Sequence, residues 1–227
     1  IAFTLIYVPM VITGALAIAM VPAIAEAQAM KDHYLLNKRC MQAIKVTILS
    51  GLPFAIMFYL LAEPLCSVVF ATPAAGMALK LLALGSIFIY LEQTLVGILN
   101  GLGAVQAVLF TTIIGGIVDL LGIYFLTPLL GINGAALAVN MGCATTTILN
   151  LFILSRCTCL QFDVRVFIYL PIVTIGCMAP GISFLWVTLQ ALPEVWRLFQ
   201  TILGSGLMYV IILLVFIMPL TKLIVGT

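Results

Sequence analysis

The twenty residues Ala107–Leu126, AVLFTTIIGGIVDLLGIYFL, carry one charge, Asp119, and show no alternation of apolar and polar positions. As a helix rising about 1.5 Å per residue, this run is about 30 Å long, the thickness of a bilayer's hydrocarbon core. A barrel strand would need only about ten residues with a period of two, so the run reads as a membrane-spanning helix. Comparable runs lie on both sides of it: Ala2–Ile24, Ala43–Ala62, Met77–Leu99, Ile132–Leu154, Val166–Leu189 and Leu198–Leu220. The expected fold is therefore an all-α integral membrane bundle of about seven transmembrane helices.

Composition leads to the same class. Of 227 residues, 65% are hydrophobic and 7% charged, against about 25% charged in an average soluble domain. Too few polar side chains exist to cover a folded surface in water. A net charge of +2 is too small to suggest a nucleic-acid partner. There is no Walker loop, nucleotide fingerprint or H-E-x-x-H motif, so no cofactor, metal centre or enzyme activity is expected. Cys157 and Cys159 form a C-x-C pair that reads as two reduced bystander thiols, since a lone pair cannot complete a tetrahedral zinc site.

Seven spans put the loops Glu26–Gln42, Gly101–Gln106 and Ser155–Arg165 and the C-terminus on one side. That side holds Lys31, Lys38, Arg39, Lys45, Arg156, Arg165 and Lys222, against Lys80 and Arg197 on the other. By the positive-inside rule the basic side is cytoplasmic. Lys31, Lys38 and Lys45 recur every seven residues, with Met30, Tyr34, Met41 and Ile44 on another side, so residues 26–45 read as an amphipathic helix at the cytoplasmic interface. Two roles fit this basic loop: topogenic contact with anionic lipid, or recruitment of a diphosphate-linked substrate. His33, with no carboxylate or thiolate partner at metal spacing, reads as an interfacial polar residue.

Two of the seven acidic residues fall inside spans. Asp119 lies about 3 Å and Glu92 about 6 Å along the axis from the middle of their helices. A charge at such depth costs at least about 2.5 kcal/mol, so each should face a cavity or a partner. Thr112, Gly115, Gly116, Asp119 and Gly122 fall on one face with little bulk, which allows close helix approach. Glu92 adjoins a second strip made of Gln93, Gly97, Asn100 and Gly101, while Asn140, Thr145, Thr146, Thr147 and Asn150 add a polar segment to the fifth span. Candidate substrate-binding or ion-coupling residues are thus Asp119, Glu92, Gln93, Asn100, Asn140 and Thr146. Hydrogen bonding between neighbouring helices would explain the same residues without transport.

Three stretches then carry a family resemblance: Val21–Ala27 (VPAIAEA), Gly97–Gly103 (GILNGLG) and Gly131–Ala138 (GINGAALA). In that order and spacing they resemble the C-terminal half of the polysaccharide-transporter branch of the multidrug/oligosaccharidyl-lipid/polysaccharide flippase superfamily. The resemblance implies a MATE-like protein of fourteen spans, with two six-helix lobes facing across a central cavity and two further helices. Residues 1–156 would supply five spans of the C-terminal lobe and 157–227 the additional pair, so the chain is expected to be a fragment lacking its N-terminal lobe. The implied activity is movement of a polyprenyl-diphosphate sugar precursor of cell-wall or spore-cortex peptidoglycan across the cell membrane by alternating access. Its partners would be membrane lipid, the lipid-linked sugar and a coupling cation. Members often carry a basic residue near the position of Asp119; the acid here favours cation or proton coupling over phosphate binding. A cation-coupled multidrug exporter of the same fold would instead use an aromatic and acidic cavity. A membrane-embedded lipid transferase would need clustered Asp or His at the membrane edge, which is missing from this sequence.

Overall fold

The computed structural model describes residues 2–72, 75–158, 164–190 and 192–212. Among them every regular element is a helix: α1 (Ala2–Ala29), α2 (His33–Leu60), α3 (Ala62–Phe70), α4 (Ala75–Gly101), α5 (Val105–Leu130), α6 (Ile132–Cys157), α7 (Val164–Thr188) and α8 (Glu194–Ile212). Six of these, α1, α2, α4, α5, α6 and α7, are long and apolar enough to cross a membrane. The protein is a multi-pass membrane bundle. Of the seventh run, residues 198–212 form most of α8, and residues 213–220 lie outside the described residues. Cys159 and Lys222 lie outside them too.

The basic segment 26–45 is helical, but it forms no separate interfacial element. α1 runs on to Ala29, a three-residue turn follows, and α2 begins at His33, ten residues before the hydrophobic run. The start is fixed by Asp32, whose carboxylate accepts a hydrogen bond from the Leu35 N–H at 2.9 Å and so satisfies one orphan donor of the first turn. The charges interrupt hydropathy without interrupting the helix, because they lie away from its buried side. At the far end Pro64 accounts for α3: it has no N–H to offer the Leu60 carbonyl, so the helix breaks at Leu61 and restarts.

α4 is the axis of the bundle, packed on α1, α2, α3 and α6. Its glycines set the spacing to α1. A Cβ on Gly97 would lie 2.7 Å from the Ala17 carbonyl oxygen, and one on Gly101 would lie 2.9 Å from that of Val21. α5 pairs chiefly with α6. Gly131 makes their turn with φ +60°, and then Gly134 sits against the Leu126 carbonyl, Gly122 against Ala138 and Gly115 against both Gly142 and Thr146. Buried side chains stitch the remaining seams: Thr147 donates to the Phe88 carbonyl at 2.9 Å, and Thr111 to Asn150 at 2.7 Å. Tyr90 donates to the Ile6 carbonyl at 3.3 Å. α7 and α8 dock on α2, where the Tyr209 hydroxyl donates to the Leu49 carbonyl.

Thr47 and Thr94 join α2 to α4, hydroxyl to hydroxyl, at 2.6 Å in a buried position. Valine keeps their shape and removes the bond. Thr94→Val should therefore cost about 0.6 kcal/mol, the average for such bonds in membrane bundles. Adding Thr47→Val should cost little more, since one bond is lost in both cases. Thermal melts of single and double variants in detergent check this, and fully additive losses would contradict it.

Candidate functional site

A cavity of about 360 Å³ lies between α1, α4, α5 and α6. Its polar lining is Glu92 and Gln93 from α4, Thr112 from α5 and Cys143 from α6; Tyr7 and Met10 of α1 supply much of the apolar wall. α4 presents Glu92 and Gln93 here because its opposite side is occupied by α2, through Thr94, Leu91 and Leu95. α5 and α1 meet only sparsely, so Tyr7 and Thr112 are exposed on the open side of the cleft.

Asp119 is not among the residues that line this cavity. On α5 it packs against α6, where a Cβ added to Gly142 would lie 2.8 Å from the Asp119 Cβ. Its Oδ1 is buried without a hydrogen-bond partner. Cys143, one residue beyond Gly142, lines the cavity together with Glu92. The two intramembrane acids, far apart in sequence, therefore lie beside neighbouring residues of α6. Among the described residues no group of three or more His, Cys, Asp or Glu side chains is placed to hold a metal ion.

The remaining candidates are placed otherwise. Asn140 donates to the Leu81 carbonyl at 2.7 Å and fills the notch above Gly85, joining α6 to α4. Thr146 is buried against Gly115 and donates to the Gly142 carbonyl at 3.1 Å. Both fasten helices. Asn100 is exposed near the end of α4. Of the basic set, Lys31 and Lys38 are exposed and Arg39 and Lys45 half-buried, at the end of the bundle where Gln28 donates to the Leu102 carbonyl across two turns. Cys143, Tyr7 and Met10 had no signal of their own in the sequence. The nearest clue is that Cys143 lies three residues after Asn140, on the side of α6 that faces α4.

The family profile described as "Lipid II flippase MurJ" matches residues 6–206. Stage V sporulation protein B of Bacillus subtilis (strain 168) is 29% identical over 219 residues, which is 95% of this chain and 42% of that protein. Sporulation protein YkvU of the same organism is 30% identical over 152 residues, 66% of this chain and 34% of that protein. The fold is similar to a solved structure titled "Lipid II flippase MurJ, inward closed conformation", with a TM-score of 0.76 at 16% identity, over 97% of this chain and 48% of that one. The chain thus spans less than half the length of these relatives, and the profile match over residues 6–206 shows that it belongs to the lipid II flippase MurJ family.

Proposed function

We propose that this chain forms one lobe of a transporter that moves a lipid II-like polyprenyl-diphosphate sugar precursor, for cell-wall or spore-cortex peptidoglycan, across the cell membrane by alternating access. The observation that carries the reading is the cavity between α1, α4, α5 and α6, whose largely apolar wall carries Glu92, Gln93, Thr112 and Cys143, within a bundle of this family. Acids have the wrong sign for a diphosphate, so in this reading Glu92 and Asp119 serve a coupling cation, and the headgroup is held by the second lobe that the family resemblance implies. The basic end, with Lys31, Lys38, Arg39 and Lys45, faces the cytoplasm.

The test is translocation. Full-length protein reconstituted in vesicles should carry a fluorescent lipid II analogue between leaflets, read as loss of quencher accessibility. A second reading is favoured by Tyr7 and Met10 beside Glu92, an aromatic, soft and acidic lining that suits organic cations. Accumulation of a cationic dye with no movement of the lipid would establish that exporter reading and overturn the first.

A further inference from the structure

Several cations are held by the protein, among them Arg156, 5.1 Å from the Phe152 ring centroid, whereas those around the α1–α2 turn are not. On the α3 side, Lys80 pairs with Glu63 at 2.6 Å, and Arg197 stacks 3.8 Å above the Trp186 ring while donating to the Trp186 carbonyl at 2.8 Å and 2.5 Å. At the α1–α2 end, Lys31, Lys38, Arg39 and Lys45 form no ion pair among the described residues. The acids nearby do not answer them: the Asp32 carboxylate caps α2.

Geometry aims these charges outward. α2 buries Leu36, Cys40, Ala43 and Thr47; at about 100° per residue Lys38 and Lys45 lie on the opposite side, within about 20° of each other. The 28 residues of α2 make a helix about 42 Å long, enough to cross the hydrocarbon and both headgroup layers. Its first turns therefore stand among headgroups. Lys45, deeper by about 10 Å than Lys38, reaches the same layer by extending its stem. Exposed Met30 and Tyr34 accompany them, side chains suited to the membrane interface. No residue of α2 lines the cavity.

From this charge pattern we infer that Lys31, Lys38 and Lys45 form a docking surface for the phosphodiester headgroups of anionic phospholipids, separate from the cavity and independent of what the cavity transports. Each unpaired cation adds to the attraction of an anionic membrane surface, and Lys38 and Lys45 on one side of α2, with Lys31 in the turn before it, select anionic over zwitterionic lipid at that end.

The test uses the full-length protein in nanodiscs of mixed phosphatidylglycerol and phosphatidylcholine, with a photoreactive headgroup on one lipid at a time. Phosphatidylglycerol crosslinks should concentrate in the peptide spanning residues 30–46, and Lys31→Gln, Lys38→Gln, Lys45→Gln together should reduce them about tenfold. Lys80→Gln, and the triple change to Arg, should leave them as in the wild type. Circular dichroism melts establish that each variant is folded. Equal crosslinking in the wild type and the triple Gln variant would overturn the assignment. So would a triple Gln variant that keeps its phosphatidylglycerol crosslinks but loses binding of a polyprenyl diphosphate, which would give these lysines to substrate recruitment instead.

Discussion

Replacing Gly97 with valine should lower the stability of the bundle by about 3 kcal/mol, near the upper end of the range for overpacking a close-packed interior. The reason is what a side chain would meet. A Cβ at this position would lie 2.7 Å from the Ala17 carbonyl oxygen, 2.8 Å from the Ala17 Cβ and 2.9 Å from its Cα. Two of these three atoms are backbone, so no rotamer change relieves the clash and α1 must move away from α4. That movement would also open Gly101, whose own added Cβ would lie 2.9 Å from the Val21 carbonyl oxygen. Gly116 is the control. It belongs to the small-residue strip on α5, but nothing lies within 4 Å of a Cβ there, so Gly116→Ala should be neutral or slightly stabilising. Unfolding in detergent, followed by temperature or denaturant, measures both. A loss below about 1 kcal/mol for Gly97→Val would mean that the α1–α4 contact is looser than the structure has it.

The same contact explains why so much of the fold is legible in the sequence. Each stretch that carried the family resemblance is a point of close helix approach. VPAIAEA supplies the Val21 and Ile24 surface, and GILNGLG supplies the Gly97 and Gly101 notches that receive α1, with Gly103 at φ +72° in the turn to α5. GINGAALA supplies the Gly131 turn and the seam of Gly134 and Ala138 against α5. Where the sequence is forced to be small it is also recognisable. The α5 strip was read correctly as an approach face, but it is wider than one partner: Gly115, Asp119 and Gly122 meet α6, Thr112 turns into the cavity and Gly116 faces outward. A helical period gives a face, and only the neighbouring helices decide where the face divides. The amphipathic helix expected over residues 26–45 is divided between the end of α1 and the start of α2, because Asp32 caps a new helix there and hydropathy alone does not mark that boundary. Pro64 marks the corresponding break before α3. The placement of Glu92 beside Cys143 and of Asp119 beside Gly142 depends on three helices packing together, and no local pattern encodes it.

Asp119→Asn in the full-length protein should reduce flipping of a lipid II analogue about tenfold or more while membrane insertion and melting temperature stay at or above the wild-type level. Asparagine has the shape of aspartate, so the contact with Gly142 is kept. The buried Oδ1 has no hydrogen-bond partner to lose, and removing a carboxylate near the centre of a span relieves a cost of at least about 2.5 kcal/mol wherever the group is charged. A purely structural role therefore predicts a variant at least as stable as the wild type and fully active. A coupling role predicts a variant equally stable and impaired, because an effector that couples two states by about 1–3 kcal/mol changes the transport-competent equilibrium by about 5- to 150-fold. Unchanged flipping would sink the coupling role. Glu92→Gln sharpens the test. Glu92 lines the cavity with Cys143 and Asp119 packs against the adjacent Gly142; two acids serving one cation would act as a unit, and the double variant should then be no worse than the more impaired single one. Losses that multiply would assign the acids to separate steps, with Glu92 belonging to the cavity wall and Asp119 to the seam between α5 and α6.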